Sequence, residues 1–233
     1  PRIRPAGLVF SCAFIVAAMI AQQNAHRWGT WRVWVASVVL IVFGNLAQGS
    51  PHDAFYHPFY ASGIQYFQDA VQVDNWRTWL ATFNDRQTTF LTHTRTHPPF
   101  AVLLHCLFSG GSQSPLCPSV GFVLISTLTI PIFRAMLETA GAQPSKASKL
   151  ALLFSVLPAF NIYGAVSLDG VIATLCALYI FGVLQLIQGR PAVIGTLAFV
   201  CGLVVTNFLT FAGVFLVGVG FATAIWEVVT LRR

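Results

Sequence analysis

Seven carboxylates are all the acid this 233-residue chain carries: Asp53, Asp69, Asp74, Asp85, Glu138, Asp169 and Glu227. In a chain so apolar, a carboxylate near hydrocarbon is costly unless it is paired or faces a wet cavity, so each is a functional candidate. Asp53 lies in Ser50-Pro51-His52-Asp53-Ala54-Phe55-Tyr56, directly after an apolar run, and Asp169 opens another in Ser167-Leu168-Asp169-Gly170. Each also has a purely structural reading. A solvated loop or a helix cap accounts for Asp53. At Asp169 a helix N-terminus stabilises negative charge, and Ser167 is placed to cap it.

A second cluster of chemistry-bearing groups is the stretch Phe90–Phe100, FLTHTRTHPPF. His93 and His97 are four apart, which on a helix would suggest metal ligation. His97 precedes Pro98, however, and a residue before proline is pushed out of the helical region, so extended chain is expected there. Pro98 and Pro99 suit the first positions of a new helix, where a missing N–H costs nothing. With Arg95, and held beside Asp53 by the return of the loop, the histidines form a cationic group of the kind a phosphate needs. Arginine is always charged and binds phosphate oxygens in pairs. Solvation of an ordinary loop by lipid headgroups is the alternative reading.

These groups sit in a chain that is 56% hydrophobic and 9% charged, with mean hydropathy +0.72. Soluble domains carry about 25% charged residues. Apolar runs cover approximately residues 6–22, 33–49, 98–108, 118–137, 150–166, 170–188, 191–207 and 208–226. Runs this long and continuous read as helices, because a membrane span must satisfy its backbone internally. The expected fold is all-α, a single polytopic transmembrane bundle over residues 1–233 with the bilayer as its partner. The net charge of +6 is spread over the ends of the apolar runs instead of forming a patch, which excludes nucleic acid. Five cysteines without regular spacing argue against a disulfide framework or a zinc site. Residues 7–23 lack a signal-peptide pattern. A chain starting on Pro1 and stopping on Arg232-Arg233 reads as a fragment or a processed chain.

Orientation follows from the breaks that carry Arg27 and Arg32, Lys146 and Lys149, Arg190, and Arg232 and Arg233, which should be cytoplasmic. They share one side only if residues 98–108, too short to span, lie on or re-enter the membrane. Residues 50–117 then form a large non-cytoplasmic loop. Arg2 and Arg4 fit this arrangement least well. Within the loop, Trp76, Trp79, Leu80 and Phe83 recur at helical spacing after an Asp74-Asn75 cap, for a helix in the interfacial layer or one packed on neighbouring spans.

In order and spacing these motifs resemble the GT-C superfamily of membrane glycosyltransferases, which includes the protein mannosyltransferases and the aminoarabinose lipid A transferases. Its members carry an acidic residue in the first large non-cytoplasmic loop, matched by Asp53, then amphipathic helices and a His-Pro-Pro-Gly-like motif, matched by Thr96-His97-Pro98-Pro99. A later acidic residue opens a span after a proline-containing helix, matched by Pro158 and Ser167-Leu168-Asp169. Phe100 stands where the motif has glycine.

The resemblance implies a polyprenyl-phosphate-linked sugar donor, an acceptor hydroxyl of unknown origin and inverting transfer at the non-cytoplasmic face. Asp53 would be the general base. Arg95, His97, His93, Arg86 and Asp169 would bind substrate, and a carboxylate-held divalent metal is an alternative way to neutralise the departing phosphate. Two other classes stay open: a transporter or flippase of a lipid-linked or anionic substrate, and a non-catalytic membrane subunit.

Overall fold

A computed structural model describes residues 4–60 and 63–231. Arg2, Arg232 and Arg233 lie outside the described residues, as does the side chain of Glu227. The fold is all-helical. In chain order the helices are α1 (Pro5–Asn24), α2 (Thr30–Leu46), α3 (Pro51–Phe55), α4 (His57–Tyr60), α5 (Tyr66–Ala70), α6 (Trp76–Ala81), α7 (Phe83–Arg86), α8 (Thr92–Thr96) and α9 (Phe100–Ser109). There follow α10 (Leu116–Thr127), α11 (Thr129–Thr139), α12 (Pro144–Val156), α13 (Pro158–Val166), α14 (Leu168–Ile187), α15 (Ala192–Leu209) and α16 (Val214–Leu231). Among the described residues, four helical stretches are long and apolar enough to cross a membrane: 5–27, 116–139, 168–187 and 192–209. The bent pair α12–α13 makes a fifth if it is one span.

Side-chain contacts sort the polar breaks into two ends of the bundle. At one end Gln22 donates to the Lys149 carbonyl at 3.1 Å, Arg134 reaches Thr30 and Glu138, and Gln185 donates to Thr139 at 2.8 Å. Arg27, Arg32, Lys146 and Arg190 lie in the same breaks. At the other end Arg4 pairs with Asp53, Ser119 donates to the Phe55 carbonyl at 3.0 Å, and Phe100 stacks edge-on to Phe208. Arg4, the residue that fitted the charge rule least well, is thus neutralised by a carboxylate.

Several expected boundaries move, each for a local reason. Residues 150–166 are not one helix: the chain breaks at Leu157 (φ −63°, ψ 123°) and turns by 68°. Pro158 supplies no N–H and drives the residue before it out of the helical region. The Ser155 carbonyl freed by this break accepts from the Asn161 side chain at 2.9 Å, and the same amide nitrogen donates to the Leu40 carbonyl on α2. The last two apolar runs divide at Thr210, not at Thr206-Asn207. Thr206 and Asn207 both bond back to carbonyls four residues earlier and so stay inside α15. α14 and α15 are in close contact because Gly202 and Gly182 let the backbones meet. A Cβ on Gly202 would lie 2.5 Å from the Tyr179 nitrogen, and one on Gly182 would lie 2.7 Å from the Gly195 carbonyl.

The insertion between α2 and α10 builds its own aromatic core. Asn75 caps α6, accepting from the Arg77 and Thr78 N–H groups at 3.0 and 3.2 Å. The four residues at helical spacing do not share one helix, since α6 ends at Ala81 and Phe83 opens α7; Trp79 and Phe83 are buried with Phe59, Phe67 and Phe90 against α9 and α10, while Trp76 and Leu80 are exposed. α6 therefore packs inward on one face and leaves an apolar edge outward. α9, ten residues long, is the short helix expected after Pro98-Pro99, and it stops at Gly110 in the left-handed region (φ 55°). The described cysteines are all free.

Candidate functional site

The stretch expected to run extended contains a helical turn, α8. Only His97 itself takes the extended conformation that its proline demands (φ −124°, ψ 162°). The turn places the His93 and His97 rings face to face, with centroids 5.9 Å apart and planes 7° from parallel. His97 Nδ1 lies 3.1 Å from the His93 carbonyl, which can only accept, and 3.2 Å from the Thr96 hydroxyl, which can donate; in the tautomer that bonds the carbonyl, Nδ1 carries the proton. In the neutral ring Nε2 is then an acceptor, and it donates only in the cation. Tyr66 on α5 stands edge-on to both imidazoles, 5.4 and 5.6 Å away. Behind it lies His105, buried within α9, whose Nδ1–H donates to the Ala101 carbonyl at 2.8 Å.

Across from this wall is the N-terminus of α14. Ser167 caps the helix: its hydroxyl accepts from the Asp169 N–H at 3.0 Å and donates to the Asp169 carboxylate at 2.8 Å. Pro58, Tyr66, His93, His97, Tyr163 and Asp169 line one cleft of ≈ 260 Å³. Burial lowers the His93 pKa from the ordinary histidine value, repulsion from His97 adds to this, and the Asp169 carboxylate opposes both. Burial pushes the Tyr66 hydroxyl well above the ordinary tyrosine value, and Asp169 pushes it further the same way. Full burial takes His105 down to about 4, against the opposing effect of its bond to Ala101.

Asp53 does not line this cleft. In the first turn of α3 its N–H donates to the Ser50 hydroxyl at 3.1 Å, the same hydroxyl donates to its carboxylate, and the Arg4 guanidinium pairs with the same oxygen. The Ser50 hydrogen bond holds its carboxyl below the usual range against the opposing effect of partial burial, and Arg4, His52 and His57 help in that order. His57 immediately precedes Pro58 of the cleft wall, so α3 and α4 connect the two places. Arg95 and Arg86 are exposed and do not line the cleft. The Arg95 carbonyl accepts from the Gln87 side chain at 2.8 Å, and the Arg86 guanidinium lies over the Phe90 ring at 5.5 Å.

Among the described residues no three His, Cys, Asp or Glu side chains converge to hold an ion. Arg4 and Ser50 both engage Oδ2 of Asp53, and Ser167 engages Oδ2 of Asp169. Two members of the cleft have no motif. His105 is marked only by being ionisable inside an otherwise apolar ten-residue helix, and Tyr66 is one aromatic among many in its segment.

The chain matches no family model, no curated protein and no solved structure.

Proposed function

We propose that the chain is a membrane glycosyltransferase of the GT-C type, moving a sugar from a polyprenyl-phosphate donor to an acceptor hydroxyl with inversion. The observation that carries this reading is the meeting of His93 and His97 with Asp169, more than 70 residues away in sequence, in one cleft at the bundle end that also holds Asp53. By the distribution of Arg27, Arg32, Lys146, Lys149 and Arg190, the opposite end is cytoplasmic and the cleft faces away from the cytoplasm.

In this reading the acceptor oxygen attacks the anomeric carbon as the bond to the lipid phosphate breaks. The bonding pair leaves on the phosphate, and the hydroxyl proton passes to Asp53, so the acceptor must reach from the cleft to α3 at the same end of the bundle. Ser50 and Arg4 keep Asp53 anionic, the state a base requires. The imidazoles meet the phosphate, donating through Nε2 when protonated, and the exposed Arg86 and Arg95 contribute a positive field at the rim. Asp169 and Ser167 hold sugar hydroxyls.

The test is transfer from a radiolabelled polyprenyl-phosphate sugar by the purified chain. Asp53→Asn should lower transfer by about a hundredfold or more while donor binding persists; full transfer by that variant removes the assignment. The bent pair α12–α13 favours a transporter, since broken helices carry transport sites. At this break the freed carbonyl is closed by Asn161 rather than left for a ligand. Uptake into proteoliposomes with no glycosidic bond formed would replace the transferase reading.

A further inference from the structure

Asp69 is a buried acid that the proposed chemistry does not use. It is 9% exposed, lines an open groove with Gln72, Thr89 and Leu91, and among the described residues forms no salt bridge. A carboxylate largely withdrawn from water gains from hydrogen-bond donors in exchange. Among the described residues the donor it meets is the N–H of Leu91, at 3.1 Å from Oδ2 and 22 residues along the chain.

Leu91 is the N-cap residue of α8, and its side chain has no atom that could cap a helix. Helix termini leave N–H groups without partners, and here two are satisfied from other parts of the chain. Asp69 takes the Leu91 N–H, and the Ile64 carbonyl takes the His93 N–H at 3.1 Å. At the far end of the turn, Gln87 donates to the Arg95 carbonyl. Asp69 also shares α5 with Tyr66, three residues earlier and on the same helical face. One short helix thus presents the tyrosine that packs against both imidazoles and the carboxylate that anchors the turn carrying them.

We propose that Asp69 is a positioning residue for the cleft: through the Leu91 N–H it holds α8 in the register that stacks His93 on His97. This rests on the reading of the cleft as the substrate site, but the geometry it asserts is testable without turnover. Three variants separate the parts. Asp69→Ala removes the acceptor and Asp69→Asn keeps one. Leu91→Pro removes only the donor, because Leu91 already has φ −61° and Phe90 before it is extended (φ −79°, ψ 160°), as proline requires.

The measurement is NMR titration of the full chain carrying ring-labelled histidine, with His93 and His97 assigned by single replacement. Burial and the neighbouring His97 ring hold the His93 midpoint below the ordinary histidine value. Asp69→Ala and Leu91→Pro should raise that midpoint as the two rings part, and Asp69→Asn should leave it in place. Transfer, where the wild type supports it, should fall about tenfold or more in the first two variants and stay within about twofold in the third. Unchanged midpoints in both Asp69→Ala and Leu91→Pro overturn the proposal, as does an Asn variant that behaves like Ala. Failure of both variants to fold also overturns it, since an anchor for one turn does not hold up the bundle. A wild type without transfer but with the expected titrations removes the glycosyltransferase reading and leaves the positioning role standing.

Discussion

The imidazoles of His93 and His97 lie 5.9 Å apart and nearly parallel, so a proton on either one opposes a proton on the other. His97→Gln removes that repulsion and should raise the His93 midpoint, while burial still keeps it under the ordinary histidine value. Asp169→Asn removes the opposing carboxylate and should lower the same midpoint. Both shifts are read by titration of labelled histidine, and movement in the same direction would contradict the placement of Asp169 opposite the ring.

At Asp53 the Ser50 hydroxyl contributes most to keeping the carboxyl ionised, and Arg4 adds to it. Removing either partner should raise the Asp53 pKa, because the anion loses what stabilises it more than the acid does. Ser50→Ala should therefore move the acidic limb of the transfer profile to higher pH, Arg4→Gln should move it less, and Arg4→Lys should retain most of the wild-type position. The check is the pH dependence of transfer under single-turnover conditions.

His105 makes acid stability measurable. Its folded value of about 4 lies below the unfolded value near 6.5, so the unfolded chain binds more protons between the two. The contribution to stability is complete above about 6.5 and is lost as pH falls toward 4, on the order of 3 kcal/mol in all. His105→Phe keeps the ring packing against Tyr66 and Phe122 and should flatten this part of the thermal stability profile of the detergent-solubilised chain.

Asn161 joins α2 to the broken pair α12–α13. Its amide donates to the Leu40 and Ser155 carbonyls, and Asn45 donates in turn to the Asn161 carbonyl at 2.8 Å. Asn161→Leu leaves the buried Ser155 carbonyl at the helix break without its donor, at about 1–3 kcal/mol, removes a second bond from the Leu40 carbonyl, and should lower the thermal midpoint clearly. Gly44→Ala should do the same, since its Cβ would overlap an Asn161 amide that these bonds hold in place. Gly29→Ala, with open space around the added methyl, is the control.

Much of the fold was legible because its signals are local. The apolar runs, the Asn75 cap, the Ser167 cap and the short helix after Pro98-Pro99 each depend on a few neighbouring residues, and each is present. The break at Leu157 is local too, but Pro158 had weight only as part of a motif, not as a missing N–H. Residues 92–97 depart from the extended chain expected there because the proline effect reaches only one residue back. It sets His97 and leaves Thr92–Thr96 free to form a turn.

Composition and hydropathic pattern determined by themselves that this chain is helical and apolar enough to span a membrane, since a segment's cost of transfer into hydrocarbon adds up residue by residue. They also picked out Asp53, His93, His97 and Asp169 as groups too expensive to be placed idly. Which of them meet was decided only by tertiary structure: Asp169 joins the imidazoles, Asp53 is taken by Arg4, and Asp69 reaches Leu91. Such pairings depend on how helices distant in the chain cross and where their ends fall, and no local propensity encodes that.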